Sequence, residues 1–148
     1  MTGFDKERME RLVGSMRDSL RLLGELGALP EADFMGDEHK QASAKYNFVA
    51  AIEAVIDVSN HLIATQKLRP PKDYADTFAV LADAGVVDAG FASELQKMAR
   101  FRNRLVHRYW DVAPDELWRI LKTRVDDFEG YVRCVGAYLE ARGQPDST

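Results

Sequence analysis

The sequence has a single cysteine, Cys134, and its N-terminal segment lacks any uninterrupted apolar run. One cysteine excludes a disulfide within the chain, which fits a reducing compartment. The N-terminal residues MTGFDKERMERLV place charges among the apolar side chains, so they form neither a signal peptide nor a membrane span. From these absences we expect a cytoplasmic protein with no membrane partner.

Motifs of cofactor and metal chemistry are also missing. There is no glycine-rich phosphate loop, no dinucleotide-binding fingerprint and no nucleophile elbow around a serine or cysteine. The three histidines, His39, His61 and His107, are scattered and give no zinc-ligand spacing. We therefore expect neither a cofactor nor a bound metal. The net charge of −4 argues against a protein that coats nucleic acid generically but is compatible with a local basic patch.

What the sequence does contain is helical periodicity along almost its whole length. Apolar residues recur three and four apart, and neither period-two alternation nor a hairpin signal appears. The pattern predicts an all-α up-and-down bundle of about five helices in one domain, 1–142, with a disordered tail, 143–148. Two long antiparallel helices are expected in the N-terminal half. The predicted helices are 4–29, 37–67, 74–84, one opening at 88 and one running from 114 to about 139.

One segment, MARFRNRLVHRYWDV (98–112), is strongly basic and contains no acid before Asp111. On a helical wheel, Arg102 falls in the middle of the apolar stripe formed by residues such as Leu95 and Leu105. The remaining cations fall on the opposite face, where they are either solvated or in contact with the phosphates of an RNA. These outer cations are Arg100, Arg104 and Arg108, together with Lys97 directly before the segment.

Arg102 is the unusual member of this segment because a guanidinium cannot be neutralised. On an inward face it needs carboxylate or phosphate partners, or a wet interface. Asn103 and His107 border the stripe, and Tyr109 falls seven residues after Arg102 on nearly the same face. Together these four side chains are candidates for one edge of a groove. The alternative is an arginine that forms a salt bridge within the core and a histidine that simply ends a helix.

The second predicted helix offers partners for Arg102. Four polar residues, Glu53, Asp57, Asn60 and His61, follow one border of its apolar stripe. Glu53 or Asp57 could anchor Arg102 through a bidentate pair. The alternative is that these residues are ordinary surface side chains.

Histidine and arginine in this arrangement suit metal-free cleavage of RNA. Histidine can move protons near neutral pH, and arginine can hold phosphate oxygens and stabilise the charge that grows on them. This reaction needs both a general base and a general acid, and one histidine is few for both roles. A symmetric dimer would bring two histidines and two arginines to one cleft.

The segment from Arg102 to Tyr109 matches the Arg-x4-His-x-Tyr signature of HEPN-domain proteins, and here the chain resembles the HepT-like ribonuclease toxins. The order of segments also matches that family: AIEAVIDVSNHLIA and PPKDYADTFAVLADAGVVD precede LQKMARFRNRLVHRYWDV, and LWRIL follows it. The resemblance covers roughly residues 46–138.

The resemblance implies a helical bundle that pairs with a second copy, so that the two motifs face each other across a cleft. Arg102 and His107 would then carry metal-independent RNA cleavage, with Asn103 as the usual polar neighbour. A minimal nucleotidyltransferase would act as antitoxin and block the site by transferring AMP to the motif tyrosine, Tyr109. The alternative is a noncatalytic HEPN module that binds nucleotide or RNA and serves mainly as partner of a nucleotidyltransferase.

Overall fold

The structure, a computed structural model, describes residues 5–143 and confirms the all-α bundle. Within that range the chain forms seven α-helices, one 3-10 turn and no strand. The helices are α1 (Lys6–Gly27), α2 (Glu31–Met35), α3 (Glu38–Thr65), α4 (Tyr74–Asp83), α5 (Ala89–His107), α6 (Pro114–Thr123) and α7 (Asp126–Ala141), and the 3-10 turn η1 is Tyr109–Asp111.

Most helices begin where the sequence supplies a cap. Aspartate side chains accept backbone N–H groups at the start of α1, α3, α4 and α5, and a proline opens α6. These caps satisfy donors that the helix itself leaves unpaired and place a negative charge at the positive end of the helix dipole. The four capping residues are Asp5, Asp37, Asp73 and Asp88.

Two features raise the helix count from the expected five to seven. The short helix α2 follows Pro30 and is fixed by Phe34, which is fully buried and packs against the Trp118 ring at 5.2 Å. The expected fifth helix divides into α6 and α7 around Arg124 and Val125. At this break the backbone N–H groups of Asp127 and Phe128 donate to the carbonyl oxygens of Arg124 and Val125. Each acceptor lies three residues earlier, instead of four as in a regular α-helix.

Helix α3 is the centre of the bundle and carries the longest run of buried residues. The predicted antiparallel pairing with α1 is present, since the backbone N–H of Asp5, which caps the start of α1, donates to His61 Nε2 near the end of α3 at 3.0 Å. At the other side of α3, Ser59 and the fully buried Tyr131 of α7 share a 2.6 Å hydrogen bond between their hydroxyls. Burial raises the pKa of the Tyr131 phenol.

Among the described residues, α3 is also the one helix long and apolar enough to cross a membrane. More than half of its most apolar window is buried inside the bundle. Core helices of globular domains have the same length and composition, so this feature is explained by the fold.

The expected ends of the domain lie largely beyond the part that the structure describes. The predicted tail, 143–148, falls outside it except for Gly143, whose φ of 72° follows the end of α7. The predicted start of the first helix at position 4 also lies outside, and the described helix begins at Lys6.

Candidate active site

The candidate site is organised around Arg102, which α5 directs toward α3. Its side chain is only 13% exposed, and Nη2 donates a 2.7 Å hydrogen bond to Glu53 Oε2. Of the two carboxylates considered as partners from the sequence, Glu53 makes the contact. The bond is single rather than bidentate, because the other terminal nitrogen is directed elsewhere.

The rest of the guanidinium is fixed by two further neighbours. Nη1 donates to the Asn103 side-chain oxygen at 3.2 Å, and the guanidinium carbon lies 5.0 Å from the centre of the Tyr74 ring. The Nε–H is buried and has no hydrogen-bond acceptor. A guanidinium has five N–H donors, so Nη1 and Nη2 each retain one for an incoming phosphate oxygen. The contact with Tyr74 has no signal in the sequence, since it depends on how the start of α4 packs against α5.

His107 is the last residue of α5. Its imidazole is exposed and makes no hydrogen bond or ion pair to another described residue. The helix ends here because Arg108 leaves helical geometry, with φ −138° and ψ 52°. His107 therefore lies at an accessible helix end, about one and a half turns from Arg102.

Tyr109 lies in η1 and not in the helix, so its expected wheel position beside Arg102 is wrong. Helix α5 ends two residues earlier. The ring of Tyr109 is held instead by Lys45 of α3, whose ammonium lies 3.9 Å from the ring centre and donates to the Tyr109 carbonyl oxygen at 3.0 Å. Burial lowers the pKa of Lys45. The phenol remains about half exposed.

Lys45 is a residue that the sequence did not single out. Its contact exists because α5 ends where it does, and no periodicity predicted that end. Glu53 and Lys45 are eight residues apart on α3, so Arg102 and Tyr109 are attached to that helix about 12 Å from each other.

The outer cations of α5 do not form a uniformly solvated face. Arg104 is half-buried and donates to both carboxylate oxygens of Glu116, at 2.6 and 2.9 Å, and to the Asp111 carbonyl at 3.1 Å. These contacts raise the pKa of Arg104. The guanidinium of Arg104 therefore already binds α6 and η1, and its contact with RNA stays a prediction. Arg108 lies 3.6 Å from an Asp111 carboxylate oxygen.

The polar residues along α3 also separate into different roles. Asp57 and Asn60 are exposed, and neither makes an ion pair or hydrogen bond with Arg102. Burial raises the pKa of Asp57, and the charge of Glu53 raises it further, whereas Arg8 lowers it. His61 binds the start of α1 and does not reach the site. Within the described residues no three potential ligands cluster as a metal site would require.

Comparison with known proteins places this arrangement in context. A family model described as "Ribonuclease HepT-like" matches residues 16–135. The mRNA nuclease HepT of Shewanella oneidensis is 29% identical over 106 residues, which covers 72% of this chain and 80% of that protein.

Two solved structures share the fold. YutE of Bacillus subtilis, described as a cytosolic protein of unknown function, superposes with a TM-score of 0.84 at 24% identity, over 98% of this chain and 97% of that one. A tri-AMPylated Shewanella oneidensis HEPN toxin in complex with an MNT antitoxin gives a TM-score of 0.81 at 24% identity, over 87% and 96% of the two chains.

The contact between His61 and Asp5 makes a testable contribution to pH-dependent stability. Nε2 can accept the Asp5 N–H only when it is unprotonated, and burial, with Arg8 as the next cause, lowers the pKa of His61. The unfolded chain then binds the proton more readily, so this contribution is present above the unfolded pKa, about 6.5, and is lost as the pH falls below it.

We expect the free energy of unfolding to fall between pH 7.5 and 5.5 by more in the wild type than in His61→Gln, whose amide oxygen accepts the same N–H without titrating. Urea unfolding at the two pH values measures this difference. His39→Gln is the control, since its side chain makes no hydrogen bond in the described part of the chain, and it should behave as the wild type. An identical pH dependence in His61→Gln and the wild type would contradict the prediction.

Proposed function

The chain belongs to the ribonuclease HepT-like family, and from this premise we propose that it is a metal-independent endoribonuclease toxin acting on RNA in the cytoplasm. The observation that carries the proposal is the partly buried Arg102, fixed by Glu53 and Asn103, at the helix whose exposed last residue is His107. Arginine and histidine on one helix provide the phosphate binding and the proton transfer that cleavage requires.

In the proposed reaction Arg102 binds a non-bridging oxygen of the scissile phosphate through its free Nη hydrogens. A histidine accepts the proton of the ribose 2′-hydroxyl as its oxygen attacks phosphorus. The bond from phosphorus to the 5′-oxygen breaks, and a protonated histidine donates a proton to that leaving oxygen. The products are a 2′,3′-cyclic phosphate and a 5′-hydroxyl. One histidine gains a proton and the other loses one, so the proton balance is closed.

A homodimer would supply both histidines. Each chain has one histidine at the site, and its imidazole is exposed at the end of α5, where a second copy can approach. We propose that two copies pair with these helix ends facing each other. Asn103 positions Arg102, while Asp57 and Asn60, exposed one and two turns beyond Glu53 on α3, support the edge of the cleft.

Among the outer arginines, Arg108 is the best placed to contact the RNA backbone. It follows His107 directly and is exposed, and its interaction with Asp111 is long at 3.6 Å. Exposed, solvated ion pairs of this kind stabilise a protein by about 0–1 kcal/mol, so a phosphate can replace the carboxylate. Arg104 is less available because Glu116 already binds its guanidinium, and Arg100 lies about two turns before the end of α5.

We further propose that a minimal nucleotidyltransferase antitoxin modifies Tyr109. The phenol oxygen would attack the α-phosphorus of ATP, lose its proton and release pyrophosphate, which leaves AMP on the tyrosine. Three observations support this role. Tyr109 is half exposed, it lies two residues after His107, and Lys45 holds a positive charge over its ring. An AMP group there adds a bulky anion beside the RNA site and so excludes the substrate.

The catalytic proposal predicts a large loss of cleavage from two single substitutions. Arg102→Ala and His107→Ala should each lower the rate at least 100-fold, because each removes a group that acts in the transition state. The measurement is cleavage of single-stranded RNA with EDTA present. Arg11→Ala and His39→Ala are the controls, since both residues are exposed and distant in sequence from the site, and they should cleave as the wild type does.

Equal cleavage by the wild type and both site variants would overturn the mechanism. A wild type that binds RNA or nucleotide through Arg102 but cleaves nothing would instead favour the noncatalytic module.

The modification proposal predicts one AMP on Tyr109. After incubation with ATP and the nucleotidyltransferase encoded beside this protein, mass spectrometry should find the tryptic peptide containing Tyr109 heavier by one AMP, and RNA cleavage should fall in parallel. Tyr109→Phe should remain unmodified and keep cleaving, whereas the control Tyr46→Phe, which alters another exposed tyrosine, should be modified normally. Neutralisation of the wild type with Tyr109 unmodified would contradict the proposal.

A further inference from the structure

A second concave site lies between α5 and the α6–α7 pair. It is a groove of about 300 Å³ that contains none of the residues Arg102, Glu53 and His107. Its apolar floor joins α3 and α5 to the last two helices. The floor residues are Phe48, Ile52, Met98, Phe101, Ile120 and Phe128.

Charged side chains surround this floor, and most of them are already paired. The lining has five cations and three acids. Glu116 binds Arg104, and Glu94 binds both Lys97 and Arg124. Asp127, the third acid, is 3.8 Å from the same Arg124.

Two arginines on the groove therefore remain in excess. Arg100 of α5 and Arg119 of α6 are exposed, and neither has a carboxylate oxygen within 4.0 Å among the described residues. The lining thus carries a net excess of two positive charges beside an apolar floor, and Arg119 shares the field of Glu116 with Arg104.

We infer that this groove binds a mononucleotide with a terminal phosphate. A phosphate monoester carries about −1.5 to −2 charges at neutral pH and has three acceptor oxygens, which matches two guanidinium groups. The flat, weakly hydrated base would lie on the apolar floor. The volume is at the lower end of small-molecule sites, which run from about 300 to 1,000 Å³, as a ligand of this size requires.

Other anions match the groove less well. An internal phosphate of an RNA strand carries one charge and continues in both directions, whereas a fatty acid has one charge and no flat ring. Inorganic phosphate satisfies the arginines but leaves the apolar floor uncovered. The inference goes beyond the proposed ribonuclease activity, because nothing in it requires RNA cleavage.

Titration calorimetry of the full chain tests the site with AMP as the probe, and with adenosine and inorganic phosphate as partial probes. The wild type should bind one AMP per chain at least tenfold more tightly than either fragment. The double variant Arg100→Gln/Arg119→Gln should bind AMP at least tenfold more weakly. Arg11→Gln/Arg133→Gln makes the same charge change at exposed positions outside the groove lining and should bind within twofold of the wild type.

Two further variants distinguish AMP binding in the groove from binding at the active site and from loss of binding through misfolding. Arg102→Gln should leave AMP affinity within twofold. Ile120→Phe, which fills the groove without changing charge, should weaken AMP binding at least tenfold while circular dichroism shows an unchanged helix content. The inference is overturned if AMP does not bind or if phosphate binds as tightly as AMP. It is also overturned if the charge control or Arg102→Gln loses as much AMP affinity as Arg100→Gln/Arg119→Gln. Binding of an RNA oligonucleotide through Arg100 and Arg119, without binding of AMP, would overturn it as well. None of these outcomes bears on cleavage by Arg102 and His107.

Discussion

The candidate site depends on one unusual placement, a permanently charged guanidinium on the apolar side of α5. Arg102 is mostly buried, and Glu53, its charged partner, is nearly half exposed. Exposed ion pairs contribute about 0–1 kcal/mol, and the loss of hydration offsets much of the attraction when a pair is buried. The Nε–H is buried without an acceptor, which costs further stability. Stability alone does not explain this arrangement, whereas the proposed binding of a phosphate by Arg102 would.

Helix α3 fixes the geometry around that arginine. It carries Glu53, which holds Arg102, and Lys45, which holds the turn containing Tyr109. Because both contacts come from one helix in the centre of the bundle, that helix sets the separation between the two parts of the site. The end of α5 then exposes His107 between them in sequence. The fold therefore holds Arg102, the proposed phosphate-binding group, in place and leaves His107, the proposed proton-transfer group, accessible.

Features that follow from helical periodicity could be predicted from the sequence. Features that depend on where a helix ends could not. Helical periodicity placed Arg102 inward and reduced its partners to Glu53 or Asp57, because both follow from residues spaced three and four apart. It misplaced Tyr109, since the wheel continued through a helix end that no proline or glycine marks. Lys45 and Tyr74 reach the site through packing between helices that are distant in sequence. The short helix α2 was missed for the same reason, because the burial of Phe34 against Trp118 fixes it.

The most direct measurement is the RNA cleavage rate of Glu53→Gln with the helix content and melting temperature recorded beside it. Removing this carboxylate's charge leaves Arg102 without its ion-pair partner but keeps an oxygen that can accept its hydrogen bond. If Glu53 positions the catalytic arginine, kcat should fall at least tenfold while the fold persists. Glu38→Gln, the same change at an exposed residue of α3, should keep the wild-type rate. Wild-type cleavage by Glu53→Gln would contradict the central role of the Arg102–Glu53 pair.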